Sequence, residues 1–145
     1  MRPIRVAVEV PLPPETVWAE LERLEDHPRW MADAIAVEFE DERRRGVGTR
    51  IRVATRIGPL RTTDVMEFTE WDSPAAMGVT HQGLFKGTGR FSLEPTGRGT
   101  RFTWTETVRF PWFLGGPIGA WAARPILTRV WRGNLRRLQS RLTDP

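Results

Sequence analysis

The stretch GTRFTWTETVRF, Gly99–Phe110, alternates with a period of two. Phe102, Trp104, Val108 and Phe110 fall in one phase, and Arg101, Thr103, Thr105, Thr107 and Arg109 in the other. Such alternation marks a β-strand with one face buried. Soon after it the period changes. From Pro117 to Leu142 the residues Leu127, Trp131, Leu135, Leu138 and Leu142 recur at helical spacing, with Arg129, Arg132, Arg136 and Ser140 opposite. A strand handing over to a long amphipathic helix is the junction on which the fold turns. Glu106 sits in the apolar phase of that strand. A buried carboxylate there must pair, bind solvent or take up a proton.

Upstream, Ile4, Val6, Val8 and Val10 alternate with Arg5, Ala7 and Glu9, which predicts a half-buried first strand. PLPPETVWAELERLED then reads as a helix opened by prolines, with Val17, Leu21 and Leu24 as its apolar stripe. HPRWMADA reads as a second short helix after a turn at His27-Pro28. Short alternating segments follow, separated by RRRGVGT, Gly58-Pro59, DSP, GLFKGTG and PTGRGT. Spacings this short imply antiparallel hairpins rather than parallel crossovers. The order predicts an α+β fold, with helices packed on one face of an antiparallel sheet. Pro125 lies inside the final helical run and predicts a kink or break there.

The chain has 145 residues, which suits a single domain spanning 1–145. Cysteine and tyrosine are absent, which removes disulfides, thiolate nucleophiles and phenolic acids. Two histidines, His27 and His81, are too few for a His-rich metal site, and no metal or cofactor is expected. The net charge of +4, from 22 basic and 18 acidic residues, is spread along the sequence and does not suggest a nucleic-acid partner. MRPIRVAVEV lacks the long apolar region of a signal peptide. The uncharged run from Phe110 to Ala123 falls short of the ~20 apolar residues of a membrane span, so a cytoplasmic location is expected.

VEVPLPPETVWAELERLEDHPRW, VMEFTEWDSP, FSLEPTGRGTRFTWTE and the terminal NLRRLQSRL together resemble the START-like, or SRPBCC, superfamily, in its bacterial polyketide cyclase/dehydrase branch. The resemblance covers nearly the whole chain. It implies the helix-grip fold: a curved antiparallel sheet of about seven strands wrapped around a long C-terminal helix, with two short helices after strand 1. It also implies a largely apolar cavity between sheet and helix. The superfamily shares no universal catalytic motif, so no catalytic residue transfers by position.

Four polar residues are candidates for that cavity. Glu106 and His81, the latter in phase with Met77 and Val79, are candidate proton-transfer groups. Asp64 is in phase with Met66 and Phe68, near a strand start. Arg124 falls close to the Trp131 and Leu135 side of an unbroken helical wheel, which would make it a partner for Glu106 or a ligand carboxylate. The candidate lining residues are Met66, Phe68, Met77, Phe91, Trp104, Trp121 and Trp131. FPWFLGGPIGAW, joining strand to helix, is either a loop packed on the helix or a gate and interfacial contact.

The leading expectation is a protein that binds a small hydrophobic or aromatic molecule of lipid, polyketide or isoprenoid type. The first alternative is a polyketide cyclase/dehydratase-type enzyme using acid–base and positional catalysis. The second is a protein-interaction module without a ligand. Transient membrane contact and a homodimer stay open as partnerships.

Overall fold

The computed structural model describes residues 2–144. Strand β1 (Ile4–Val10) leads into helix α1 (Pro14–Leu21) and a 3₁₀ turn (Leu24–Arg29). Six strands follow: β2 (Ala34–Phe39), β3 (Arg50–Ile57), β4 (Leu60–Asp72), β5 (Ala76–Gln82), β6 (Lys86–Thr96) and β7 (Gly99–Arg109). A short 3₁₀ turn (Trp112–Leu114) then enters the long helix α2 (Gly116–Thr143). The strands form one antiparallel sheet in the order β1-β7-β6-β5-β4-β3-β2, curled around α2. This is the helix-grip arrangement that the resemblance implied. No helix among the described residues is long and apolar enough to cross a membrane.

The final strand is placed by its two neighbours. Trp104 of β7 faces Val6 of β1 on one side and Phe91 of β6 on the other. Phe102, Trp104 and Glu106 are buried, as strict alternation requires. The core fills one end of the curl. Val17, Leu21, Leu24, Trp30 and Phe102 pack there with Leu135 and Leu138 from the C-terminal half of α2. The N-terminal half of α2 lies over the remaining space.

Local structure departs from the sequence reading in four places. The second short helix is the 3₁₀ turn Leu24–Arg29, earlier than HPRWMADA, and β2 already begins at Ala34. Ile35, Val37 and Phe39 share one alternating phase in the sequence, but in β2 a register shift between Ala34 and Ala36 turns Ile35 outward. Pro125 does not break the final helix, which continues through it from Gly116 to Thr143. Helices tolerate the lost N–H where the freed carbonyl meets water, and Pro125 is exposed. The segment after β7 is not a buried loop: Trp112 and Phe113 project from it into solvent.

Candidate functional site

Between the inner face of the sheet and the N-terminal half of α2 lies a cavity of about 270 Å³. That is near the lower end of the ~300–1,000 Å³ common for ligand pockets. The inward phase of successive strands builds its walls: Val53 of β3, Met66 and Phe68 of β4, Met77 of β5, Phe91 of β6 and Trp104 of β7. Leu127 and Trp131 of α2 close the roof. The rings of Trp104 and Trp131 stack, with centroids 5.3 Å apart. Phe91 meets Trp104 edge-on at 5.2 Å. The walls are therefore flat and apolar, suited to rings.

One wall is polar. Glu106 Oε1 accepts a hydrogen bond from His81 Nε2 at 2.7 Å, and Oε2 accepts one from the Trp104 indole N–H at 3.4 Å. Glu106 and His81 lie on β7 and β5, with β6 running between them. Gly89 of β6 stands opposite Glu106. A Cβ at Gly89 would sit 2.2 Å from Glu106 Oε2, so the missing side chain is what lets the carboxylate reach across β6. Asp64 is the third member. It lies on β4, where its neighbour in phase, Met66, stands opposite His81. Its Oδ1 accepts from Thr62 Oγ1 at 3.5 Å. A Cβ at Gly83 would come within 2.3 Å of the same oxygen. Two glycines thus leave room for two carboxyl groups.

Burial pushes the Asp64 carboxyl above its usual range; His81 and the Thr62 hydroxyl pull it back in part, while Glu106 pushes it further up. For His81, burial is the largest single influence and acts downward. The hydrogen bond to Glu106, with the charges of Glu106 and Asp64, outweighs burial and holds the imidazole above its ordinary 6.5. The wall therefore shifts His81 toward the imidazolium and Asp64 toward its protonated form. Among the described residues, no three His, Cys, Asp or Glu side chains are grouped to hold a metal ion.

Of the residues singled out from sequence, Glu106, His81, Asp64, Met66, Phe68, Met77, Phe91, Trp104 and Trp131 line this one cavity. Two do not. Trp121 is 75% exposed, because it shares the outward face of α2 with Ile118, Arg129 and Arg132. Arg124 makes no contact with Glu106. Its guanidinium donates to the carbonyls of Arg2 at 2.7 Å and Pro3 at 2.6 Å, which precede the β1–β7 ladder and so lack a strand partner there.

Several site residues escaped the sequence reading. His27 lines the cavity and donates from Nε2 to the Leu21 carbonyl at 2.8 Å; burial lowers its pKa. Asp33 accepts from Trp131 Nε1 at 3.2 Å and from Asn134 Nδ2 at 2.7 Å, fixing the roof. Gly83 and Gly89 read only as the two ends of the turn segment GLFKGTG, whereas the structure puts Gly89 inside β6. Their signal was a glycine in a strand or at its end, which often marks a close approach.

Solved structures share this fold. The protein TTHA0849 of Thermus thermophilus is 22% identical, with a TM-score of 0.76 over 97% of this chain and 96% of that one. A START superfamily protein from Mycobacterium smegmatis is 16% identical, with a TM-score of 0.76 over 98% and 97%. The Zhui aromatase/cyclase of Streptomyces sp. R1128 is 15% identical, with a TM-score of 0.72 over 97% and 93%. No curated protein matches the chain. A family profile described as "Polyketide cyclase / dehydrase and lipid transport" matches residues 1–143. With sheet, helix and cavity arranged as above, the chain belongs to this polyketide cyclase/dehydrase and lipid transport family.

Proposed function

We propose that the protein binds a small ring-containing apolar molecule with one oxygen-bearing end. The observation that carries this reading is a cavity with flat apolar walls and one wall bearing Asp64, His81 and Glu106, while His27 and Asp33, also in the lining, are hydrogen-bonded within the protein. Its volume favours one or two rings over a long acyl chain. The rings would lie against Trp104 and Trp131, and the oxygen would meet Asp64 or His81. Titration with 2-naphthol, read by tryptophan fluorescence, tests it. Saturable quenching is expected, with 2-naphthol binding about tenfold tighter than naphthalene because of one buried hydrogen bond. Absence of saturable binding by both compounds would sink the reading.

A second reading is favoured by the 2.7 Å contact between His81 and Glu106. A carboxylate that orients an imidazole is the arrangement of a general base and its positioning group. When neutral, His81 would take a proton from the carbon beside a ligand carbonyl, leaving an enolate whose oxygen takes the Trp104 N–H over from Glu106 Oε2, where it is held at 3.4 Å. The aromatase/cyclase among the solved structures shares the fold that would hold such a substrate. With 2-acetylnaphthalene in D₂O, NMR should show methyl deuteration above the buffer rate. His81→Gln should abolish the excess. Exchange at the buffer rate in the parent protein rules out this chemistry.

A further inference from the structure

The rim of the cavity is both apolar and unbalanced in charge. Trp112, Phe113, Ile118 and Trp121 stand out from the turn after β7 and the first turns of α2, with Trp112 87% exposed. Ile126 joins this patch to the cavity, being exposed and also part of the cavity wall. Further along the same outward face of α2, the apolar residues give way to Arg129, Arg132 and Arg136.

The sheet side of the rim carries two like-charge pairs. Arg56 stands opposite Arg61 beside the β3–β4 turn, and Lys86 stands opposite Arg109 where the β6–β7 ladder ends. Opposed like charges destabilise an antiparallel pair. All four side chains are exposed, and none forms an ion pair among the described residues. Toward the other end of the sheet several arginines are matched: Arg50 with Glu40 and Glu67, Arg90 with Glu70, Arg101 with Glu9, Arg141 with Glu20. No Asp or Glu occurs in 53–63, 79–89 or 107–128, the segments that carry the mouth. The carboxylates at this end, Asp33, Asp64 and Glu106, are all hydrogen-bonded within the site. Glu9, Glu22, Glu40, Asp72 and Glu94 lie toward the opposite ends of their strands and loops.

We propose that this rim docks on an anionic lipid surface, with Trp112, Phe113 and Trp121 entering the interface and the unmatched basic residues meeting phosphates. Exposed Trp and Ile beside uncompensated Arg is the chemistry of an interfacial amphipathic segment. A second copy of the chain would bring the same sign of charge to the face. A nucleic acid would satisfy the arginines but give Ile118 and Ile126 nothing to bury against. Docking sets the cavity mouth against lipid, so an apolar ligand passes between the two without crossing water.

Co-sedimentation with phosphatidylcholine vesicles containing about one-quarter phosphatidylglycerol, against phosphatidylcholine alone and with no ligand added, tests the proposal. Binding to the anionic vesicles should be at least about tenfold tighter and should fall with salt. Arg129→Gln with Arg132→Gln should weaken it about thirtyfold. Trp112→Ser with Trp121→Ser should weaken it about tenfold or more, with unchanged circular dichroism. Equal binding to both vesicle types, or full binding by the tryptophan variant, overturns the proposal. So does capture by single-stranded RNA as tight as by anionic vesicles and indifferent to the tryptophans. The 2-naphthol titration is read without vesicles, so cavity binding and docking fail separately.

Discussion

Glu106 reaches His81 across a strand whose facing residue, Gly89, has no side chain. Gly89→Ala keeps the strand but puts a methyl group where a carboxylate oxygen now lies. The expected result is a loss of about 1–3 kcal/mol in chemical denaturation, from strain and a broken buried hydrogen bond. The preference for 2-naphthol over naphthalene should fall with it. The pair also sets a pH dependence. His81 is raised above 6.5, so its contribution to stability is fully present below 6.5 and is lost as pH climbs through the folded value. Asp64 acts in the same sense from a lower pH: the folded state keeps a proton that the unfolded chain releases above 3.8. Thermal denaturation should therefore show the parent losing stability relative to His81→Gln as pH rises above 6.5. A parent–variant difference that stays flat across that range contradicts the assignment. Alternation alone placed Glu106, His81 and Asp64 on the inward face, because strand phase is local. It could not pair them, because the pairing runs through a glycine on a third strand.

Helix α2 is held differently along its length. Its C-terminal half is locked by Leu135 and Leu138, both fully buried. The locking extends to Asn134, whose side chain donates to Asp33 and accepts from the Ala32 N–H at 3.0 Å and from Arg137. Asn134→Ala leaves the Ala32 N–H and one Asp33 oxygen without these partners. A cost of about 2–3 kcal/mol in denaturant unfolding is expected, with weaker ligand binding because Trp131 loses its anchored Asp33 acceptor. Unchanged stability in this variant would remove the pin. The heptad-like leucines made this helix legible in the sequence, and its buried face is the one the spacing named. Arg124 and Trp121 were misplaced because a helical wheel gives phase and not surroundings. Arg124 turns to bare carbonyls ahead of β1, and Trp121 lies where no strand covers the helix. Trp71 was hidden for another reason. A register shift between Phe68 and Glu70 brings it beside Phe68, with rings 5.3 Å apart, against strict alternation.

At the scale of the molecule, the order of elements was readable because each change of period is marked by glycine or proline. The separation of charge was not, because it arises only when hairpin ends distant in sequence gather at one end of a curled sheet. The net charge of +4 averages over a basic mouth and a far end where carboxylates are matched by arginines. A body with its charge divided in this way has a large electric dipole, and adsorption depends on the end presented rather than on the sum. At neutral pH the protein should be held on a cation exchanger to a higher salt than a uniformly charged protein of +4. Elution at the same salt as such a protein would show that the basic residues of the mouth do not act as a patch. The same dipole would turn the molecule as it nears any negatively charged surface, so that the open end of the sheet arrives first.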